Sequence, residues 1–315
     1  MLTAFLSRAD VSRHLQALHL LKELRDALTA RRKAGSVQTL RFEPTSLLMS
    51  SAPGALIAPW TSTLVRQAAI ADVPAWMVTV RTETAKGARS VLQLHDPATG
   101  QVMAVMDASH LMVLRASLMS ALAADVLARP DARNVAVLGA GPASSSALKA
   151  LRLVRSIEEV WLHEPNMVDN FELSHRLSTT LSMAIHAADT VAEAVAQADI
   201  VVLTGPMSLE GVQLPPGAHV TVLSAETFTA PPIPHPMLAD ARRFCDASEP
   251  ALEWGLPFHA ELGEVLSQEK PGRQSRDVLT LFASIGPAAL DLLAAWHVFE
   301  GARHDEGLTR IDLEA

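Results

Sequence analysis

The chain has 315 residues, of which 49% are hydrophobic, so it is long enough for two domains of ordinary size and too apolar to be disordered as a whole. Its formal net charge of −8 argues against nucleic acid as a partner, because binding to a phosphate backbone needs a basic face. A single cysteine, Cys245, and the lack of an uncharged apolar run approaching the ~20 residues of a membrane span favour a cytoplasmic protein with no membrane partner.

The first predicted element is a helix over residues 10–33. A cap residue, Asp10 or Ser12, opens this helix, and Gly35 ends it. Its leucines share one stripe; they are Leu15, Leu18, Leu21, Leu24 and Leu28. The stripe indicates a buried face or a subunit contact.

Short extended runs separated by proline and glycine follow the helix, as in a mixed sheet. We predict one strand that carries Arg41 and three later strands; the four cover residues 37–42, 73–80, 90–95 and 101–106. The last two strands are separated by the turn sequence Asp-Pro-Ala-Thr-Gly at residues 96–100. This turn predicts a β-hairpin.

Residues 109–129 form a predicted helix that is almost entirely apolar, with Arg115 near its start and Asp125 near its end. Burying an arginine is costly unless an anion meets it. Two anions are possible here, a carboxylate of the protein itself or the carboxylate of a substrate. Pro130 ends the helix.

Residues 134–166 carry the pattern of a dinucleotide-binding unit. A valine-rich strand meets a glycine turn, in which Gly139 permits the sharp bend and Gly141 lets a pyrophosphate approach the main chain. Helical spacing follows at once, so the free amides of the first helical turn point at the expected phosphate position. Ser144 stands where a third glycine or alanine is usual, and it is small enough for close packing of helix and strand. The residues predicted to hold the cofactor here are Gly139, Ala140, Gly141, Pro142, Ala143 and Ser144.

A second strand, at residues 159–163, delivers Glu164 twenty-three residues after Gly141 (164 − 141 = 23). An acid near this ~20-residue interval accepts the ribose hydroxyls of NAD. A carboxylate there would repel the 2′-phosphate of NADP, and no arginine stands beside it, so NAD is favoured over NADP. The alternative interpretation is a glycine turn in an α/β protein that binds no nucleotide.

The chain then alternates helices and strands. Two of the strands end at Thr204 and Ser224, and ligands gather at the carboxyl ends of strands in open α/β sheets, so we predict both as cofactor contacts. The proline-rich residues 231–236 predict a stiff loop. The predicted helices cover residues 168–181, 191–197 and 288–302, and the predicted strands cover residues 183–187, 200–205, 219–223, 243–246 and 279–282.

Four runs of residues resemble the ornithine cyclodeaminase and mu-crystallin family in order and spacing over essentially the whole chain. They are LMVLRASLMSALAADVLA, VAVLGAGPAS, ADIVVLTG and LTLFASIGPAALDLLAAWHVFEGA. The expected fold is α/β, with a Rossmann NAD-binding domain at residues 130–286. A mixed-sheet α+β domain for substrate binding and dimerisation would comprise residues 1–129 with 287–315. The resemblance implies a homodimer through the sheet of that second domain.

The resemblance also implies site residues. In the family, an arginine at the start of the long helix grips the substrate carboxylate, and Arg115 stands at that position; Arg41 resembles a second arginine from an early strand. Two guanidinium groups on one carboxylate would fix which face of the substrate meets the nicotinamide. Glu226 resembles the acid/base of the family, which is an aspartate, with a solvated loop glutamate as the alternative. Ser284 resembles the turn residue near the cofactor.

One position departs from the family pattern. Family enzymes commonly place a substrate-facing lysine in the strand matched by residues 73–80, where this chain has Met77. The following loop, residues 81–89, looks shortened. We therefore expect Met77 to line a pocket for a larger or less polar substrate.

These features favour an NAD-dependent oxidoreductase that exchanges a hydride with the α carbon of an amino or cyclic imino acid, as an amino-acid dehydrogenase or ketimine reductase does. One alternative is a cyclodeaminase-type lyase, which recycles NAD and releases ammonia. The other is a mu-crystallin-like protein that binds nucleotide and ligand without catalysis. The histidines show no metal-ligand spacing, so we assign no metal.

Overall fold

The structure is a computed structural model that describes residues 2–34, 60–70, 73–84, 87–139, 141–205, 207–223, 233–247 and 257–313. In chain order its first elements are β1 (Thr3–Leu6), α1 (Arg8–His14), α2 (Ala17–Ala34), β2 (Trp60–Ala69), β3 (Trp76–Thr84), β4 (Gly87–His95), β5 (Val102–Asp107) and α3 (Ala108–Leu127). They continue with β6 (Asn134–Leu138), α4 (Pro142–Leu151), β7 (Glu159–His163), α5 (Met167–Leu181), β8 (Ala184–Ala187), α6 (Val191–Val195), β9 (Ile200–Leu203) and β10 (His219–Val222). The last are α7 (His235–Asp240), β11 (Arg242–Cys245), β12 (Ala260–Glu261), α8 (Leu262–Leu266), β13 (Thr280–Ala283), α9 (Ala288–Ala302) and β14 (Thr309–Ile311).

The chain divides into two compact units. The first takes the described residues within Met1–Leu20, Gly35–Met112 and Pro287–Ala315, and the second takes those within Leu21–Ala34 and Val113–Gly286. From the sequence we predict that residues 113–129 belong to the substrate-binding and dimerisation domain, whose first segment ends before Pro130. They group with the second unit because Ala116, Ala124 and Ala128 share one apolar core with strands of that unit.

The first unit is built on a six-stranded mixed sheet with the order β14-β1-β5-β4-β3-β2. Alternate residues of β3 and β4 point to opposite faces, so Met77 pairs with Leu94 on a buried face and Val80 pairs with Val91 on the other face. Val80 and Val91 are 37% and 46% exposed. Helix α1 contacts β5, and α9 contacts β2 and β4.

The second unit is built on eight parallel strands in the order β12-β11-β13-β10-β9-β6-β7-β8. Side chains of α3, α4 and α5 pack into one core with the sheet, and side chains of α6 and α7 pack into a second core. The central strands are buried along their whole length because helices cover both faces. From β6 the chain runs outward to β7 and β8 and then returns to β9 on the other side, so the switch in strand order lies between β6 and β9.

Several predicted elements agree with the structure. The strands at residues 134–138 and 159–163 are confirmed as β6 and β7, and the last helix is confirmed as α9. The hairpin of β4 and β5 is also confirmed, with the Asp96 carboxylate accepting hydrogen bonds from the Ala98 and Thr99 amides. That carboxylate fixes the turn.

The predicted helix over residues 10–33 is wrong as a single element. The chain forms α1 and α2, separated at Leu15, whose backbone is extended. The Gln16 amide donates a hydrogen bond to Nε2 of His297, a residue far away in sequence. This bond replaces the hydrogen bond that the Gln16 amide would make within a continuous helix. The leucine spacing did not predict this break.

The interpretation of residues 81–89 as a loop is also wrong in its extent, because most of these residues lie in strands. β3 runs to Thr84 and β4 begins at Gly87, and Arg81 pairs with Ser90 in the ladder between them. The predicted stiff loop at residues 231–236 is wrong at its end, where residues 235 and 236 belong to a helix; residues 231 and 232 lie outside the described parts of the chain. α7 begins at His235, because Pro234 and Pro236 fit the start of a helix, where backbone amides have no partner within the helix.

Helix α3 has the length and composition of a membrane span over residues Ser109–Leu127. However, 67% of that window is buried inside the protein, which is typical of a core helix. Its nearly uniform apolar surface follows from packing on several sides.

Candidate functional site

A glycine turn lies at the carboxyl end of β6, beside the switch in strand order. Gly139 has φ +115° and Gly141 has φ +118°, conformations that residues with a Cβ rarely adopt. A Cβ on Gly139 would lie 2.7 Å from the Thr204 hydroxyl oxygen, whereas a Cβ on Gly141 would meet nothing within 4 Å. The turn is therefore packed against the protein at Gly139 and open at Gly141.

Helix α4 starts directly from this turn. Gly141 is its cap residue and brings no side-chain hydrogen bond to the first turn of the helix, and Pro142 occupies the first helical position. The amides of the first turn and the positive end of the helix dipole are thus available to an anion in front of Gly141. This arrangement suits a phosphate.

Ser144 has a function in this turn that the sequence pattern did not show. Its buried hydroxyl donates to the Gly139 carbonyl oxygen (2.6 Å) and lies 3.0 Å from the Thr204 hydroxyl. Thr204 in turn donates to the Leu138 carbonyl oxygen (3.2 Å). The two hydroxyl groups tie the glycine turn to α4 and to the end of β9, so serine here strengthens the turn.

Glu164 follows β7 immediately and is half-buried. The amide of Gly139 donates to the carbonyl oxygen of His163 (2.9 Å), so Glu164 leaves the sheet beside the glycine turn. His163 is held by its Nδ1, which lies 3.0 Å from the Ala188 carbonyl oxygen. Glu164 therefore has the position at which a carboxylate can accept ribose hydroxyls.

Asp246 organises a second turn at the same edge of the sheet. This residue follows β11, is 1% exposed, and accepts three hydrogen bonds from the turn after β13. One carboxylate oxygen accepts from the Ile285 amide (2.8 Å), and the other accepts from the Gly286 amide (3.0 Å) and the Ser284 hydroxyl (3.1 Å). Burial raises the pKa of Asp246, while Arg115 and these hydrogen bonds act in the opposite direction.

Arg115 lies against that second turn. It is 3% exposed, and a Cβ on Gly286, which has φ +76°, would be 2.7 Å from Nη2 of Arg115. Of the two kinds of anion considered for Arg115, an internal carboxylate, Asp246, is near enough for the charge of Arg115 to act against the rise in its pKa. A guanidinium carries five N–H donors, more than one carboxylate engages, so a substrate carboxylate remains compatible with this geometry.

The other predicted site residues have different outcomes. Ser284 is buried and bonded to Asp246, and Pro142 and Ala143 lie in the first turn of α4. Met77 is 0% exposed, and its sulfur accepts a hydrogen bond from the Thr79 hydroxyl, so its contact with substrate stays a prediction. The residues that lie outside the described parts of the chain are Arg41, Ala140, Ser224 and Glu226.

A polar cluster of another kind lies at the amino edge of the same sheet. The ring of His219 lies between the hydroxyls of Thr280 (2.9 Å) and Thr221 (3.1 Å), and burial lowers its pKa to about 3. Arg273 donates to Thr280 and to backbone carbonyl oxygens, among them that of Leu127 (2.8 Å). These groups satisfy one another, which is typical of a structural network.

The residues at the carboxyl edge fit a dinucleotide. The turn is open at Gly141, the amides of α4 can meet a pyrophosphate, and Glu164 stands where a ribose would lie. For the pyrophosphate, this fit depends on the backbone conformation of the glycine turn and on the open space at Gly141, and the fold determines both.

The chain is similar to known proteins along most of its length. The Ornithine cyclodeaminase/mu-crystallin family profile matches residues 2–306. The chain is 28% identical over 234 residues to a Delta(1)-pyrroline-2-carboxylate reductase of Bacillus cereus, covering 69% of this chain and 72% of that protein. It is 29% identical over 218 residues to the ketimine reductase mu-crystallin of Mus musculus, covering 66% and 67%.

A solved structure shares the whole fold. The Delta(1)-pyrroline-2-carboxylate reductase of Thermococcus litoralis, in complex with NADH and L-proline, superposes with a TM-score of 0.82 at 21% identity. The match covers 98% of this chain and 100% of that chain. At this identity the likeness shows the fold. The match of the family profile to nearly the whole chain establishes that this protein belongs to the Ornithine cyclodeaminase/mu-crystallin family.

Proposed function

We propose that this protein is an NAD-dependent oxidoreductase that reduces a cyclic imino acid, or oxidises the corresponding amino acid, at the carbon next to a carboxylate. The observation that carries the proposal is the glycine turn at the end of β6, open at Gly141 and followed by Glu164 at the end of the neighbouring strand. The similarity to reductases of pyrroline-2-carboxylate and of ketimines supports the substrate class.

The residues of the glycine turn would hold the cofactor. Nicotinamide supplies the hydride donor or acceptor when NAD is bound. The α4 amides would bind the pyrophosphate, and Glu164 would accept hydrogen bonds from the adenosine ribose. Because Glu164 is an acid, its charge favours the ribose of NAD over the phosphorylated ribose of NADP.

Arg115 would bind the substrate carboxylate. Its guanidinium lies on the Gly286 turn, at the edge of the sheet that also carries the glycine turn. A planar fork of donors fixes the orientation of a carboxylate, and so the face of the imine that meets the nicotinamide. The family resemblance adds Arg41 as a second anchor and Glu226 as the group that transfers the proton to or from the substrate nitrogen.

We further propose a homodimer that forms through the six-stranded sheet. Val80 and Val91 form a cross-strand pair on the half-exposed face of that sheet, and such a face is suited to an apolar subunit contact. Light scattering of the purified protein tests this. We expect the wild type to be a dimer and the Val80→Lys variant to be a folded monomer. A monomeric wild type would contradict the proposal.

A substrate panel tests the proposed activity. Cyclic imino acids and oxo acids with ammonia are offered with NADH, and amino acids with NAD, while nicotinamide absorbance and released ammonia are both followed. We expect stoichiometric NADH consumption with at least one imino acid. Ammonia release without net change in NADH would indicate a cyclodeaminase instead, and tight NADH binding with no turnover of any compound would indicate a binding protein.

A further inference from the structure

One buried side chain bonds all three residues of the turn at residues 284–286. The carboxylate of Asp246 accepts hydrogen bonds from three consecutive residues of this turn. Ser284 donates through its hydroxyl, and Ile285 and Gly286 donate through their amides. Both oxygens of the carboxylate are engaged, so Asp246 fixes the path of the turn.

This turn also determines where the Arg115 guanidinium can lie. Only a glycine at residue 286 leaves room, because a Cβ there would be 2.7 Å from Nη2 and 3.2 Å from Nη1 of Arg115. Gly286 also has a φ of +76°, a conformation that residues with a Cβ rarely adopt. A small change in the turn would therefore displace both terminal nitrogens of the guanidinium.

The charges of Arg115 and Asp246 also favour this arrangement. Arg115 comes from the apolar helix α3, where a buried cation needs an anion nearby, and Asp246 is a buried carboxylate that needs a cation. Gly286 links the two residues, because its amide donates to Asp246 and the Arg115 guanidinium lies against it. The charge of Arg115 also acts against the rise in the pKa of Asp246. Asp246, the turn and Arg115 thus form one continuous group from three separate elements.

We propose that Asp246 is a positioning residue for substrate recognition: it holds the Ser284–Gly286 turn and, through this turn, orients the Arg115 guanidinium toward the substrate carboxylate. This inference rests on the proposed function of Arg115. It assigns to Asp246 no proton transfer and no direct contact with substrate or cofactor. The Arg115 guanidinium must be placed accurately, because a misplacement of about 1 Å can cost on the order of a hundredfold in rate.

The test compares Asp246→Asn with a matched control, Asp199→Asn. Asp199 also accepts two backbone amide hydrogen bonds, from Arg133 (2.9 Å) and Asn134 (3.0 Å), and pairs with an arginine, Arg129, but it lies at the opposite edge of the sheet. Steady-state kinetics with NADH are measured on a carboxylated cyclic imine and on the same ring without the carboxylate. NADH affinity and thermal unfolding are measured in parallel.

We expect Asp246→Asn to raise KM for the carboxylated imine by roughly tenfold or more and to reduce the preference for the carboxylate, with NADH affinity within about twofold of wild type. Asp199→Asn should lower thermal stability and leave both KM and the preference unchanged. Should Asp246→Asn not fold, Gly286→Ala tests the step from the turn to Arg115, since its Cβ would meet the guanidinium while Asp246 is intact. The same loss of preference is expected, and an unchanged preference would overturn the inference.

The outcomes separate the two proposals. A folded Asp246→Asn protein that keeps the wild-type KM and the wild-type preference for the carboxylate would overturn the positioning inference alone. Equal loss of preference in Asp199→Asn would also overturn it, because the effect would then be one of general stability. A wild-type protein that turns over no imino or amino acid would overturn the proposed function, and the inference with it.

Discussion

The two edges of the eight-stranded sheet carry similar chemistry in different surroundings. At the amino edge Asp199 accepts backbone amides and pairs with Arg129, and at the carboxyl edge Asp246 accepts backbone amides close to Arg115. An aspartate with an arginine thus occurs at both edges. What differs is the donors nearby, since the glycine turn, open at Gly141 and followed by the first amides of α4, lies at the carboxyl edge.

The comparison shows what identifies a site in this fold. Buried polar groups that satisfy one another, such as His219 with Thr221 and Thr280, stabilise the protein and need no ligand. A site requires donors that the protein leaves to a ligand, such as the first amides of α4 after a glycine cap. Substitutions at one edge at a time therefore test whether only the carboxyl edge takes part in function.

The largest effect is expected at the glycine turn. Gly141→Ala places a methyl group in the open space in front of α4, so NADH affinity should fall by on the order of a hundredfold, about 2.7 kcal/mol. Titration of NADH fluorescence measures this loss. Gly139→Ala is the matched variant: both glycines have a positive φ, but only the methyl group at residue 139 would meet Thr204, so Gly139→Ala should lower thermal stability more than Gly141→Ala does. Wild-type affinity in Gly141→Ala would contradict the assignment of the phosphate site.

An effect of intermediate size is expected at the amino edge. The pKa of His219 is about 3 in the folded protein, below its ordinary value of 6.5, so the unfolded chain binds more protons between these values. Its contribution to stability is complete above about pH 6.5 and is lost as pH falls, by about 2 kcal/mol between about pH 7 and about pH 5.

Urea unfolding at both pH values measures this change in the free energy of unfolding. The His219→Asn variant should show a flatter pH dependence than wild type while its kcat and KM stay unchanged at neutral pH. A variant that loses activity without losing stability would show that the amino edge takes part in function and would remove the contrast between the two edges.

The smallest effect is expected for cofactor preference. Glu164→Gln removes the charge that would repel a 2′-phosphate, so the ratio of NADPH to NADH affinity should rise by roughly tenfold. The control is Glu159→Gln, which removes an exposed acid at the amino end of the same strand, β7. An unchanged ratio in Glu164→Gln, or an equal rise in both variants, would exclude Glu164 as the ribose contact.

Much of the fold could be predicted from sequence because local patterns determine it. The valine-rich run of β6, the glycine turn and the acid after β7 all lie within residues 134–166, and their order is sufficient to recognise the unit. The same holds for the hairpin at Asp96, whose turn residues are adjacent. In both cases the interacting groups are close in sequence.

The features that sequence patterns did not reveal depend on contacts between distant residues. Asp246 bonds residues 38 to 40 positions further along the chain, so no spacing in its own strand indicates its role. The break between α1 and α2 depends on His297, which lies 281 positions from Gln16. The hydroxyl pair of Ser144 and Thr204, 60 positions apart, is a third example. Such pairs become visible only once the strands are placed side by side.

Recognition of the substrate carboxylate is tested most directly by two rates of NADH oxidation by the wild-type protein. One is measured with a cyclic imine that carries a carboxylate, and the other with the same ring that lacks it. Since Arg115 would bind the carboxylate in a buried position, kcat/KM for the carboxylated imine should exceed that for the other compound by at least roughly a hundredfold. Equal values for the two compounds would contradict the proposal that this site recognises an imino acid by its carboxylate.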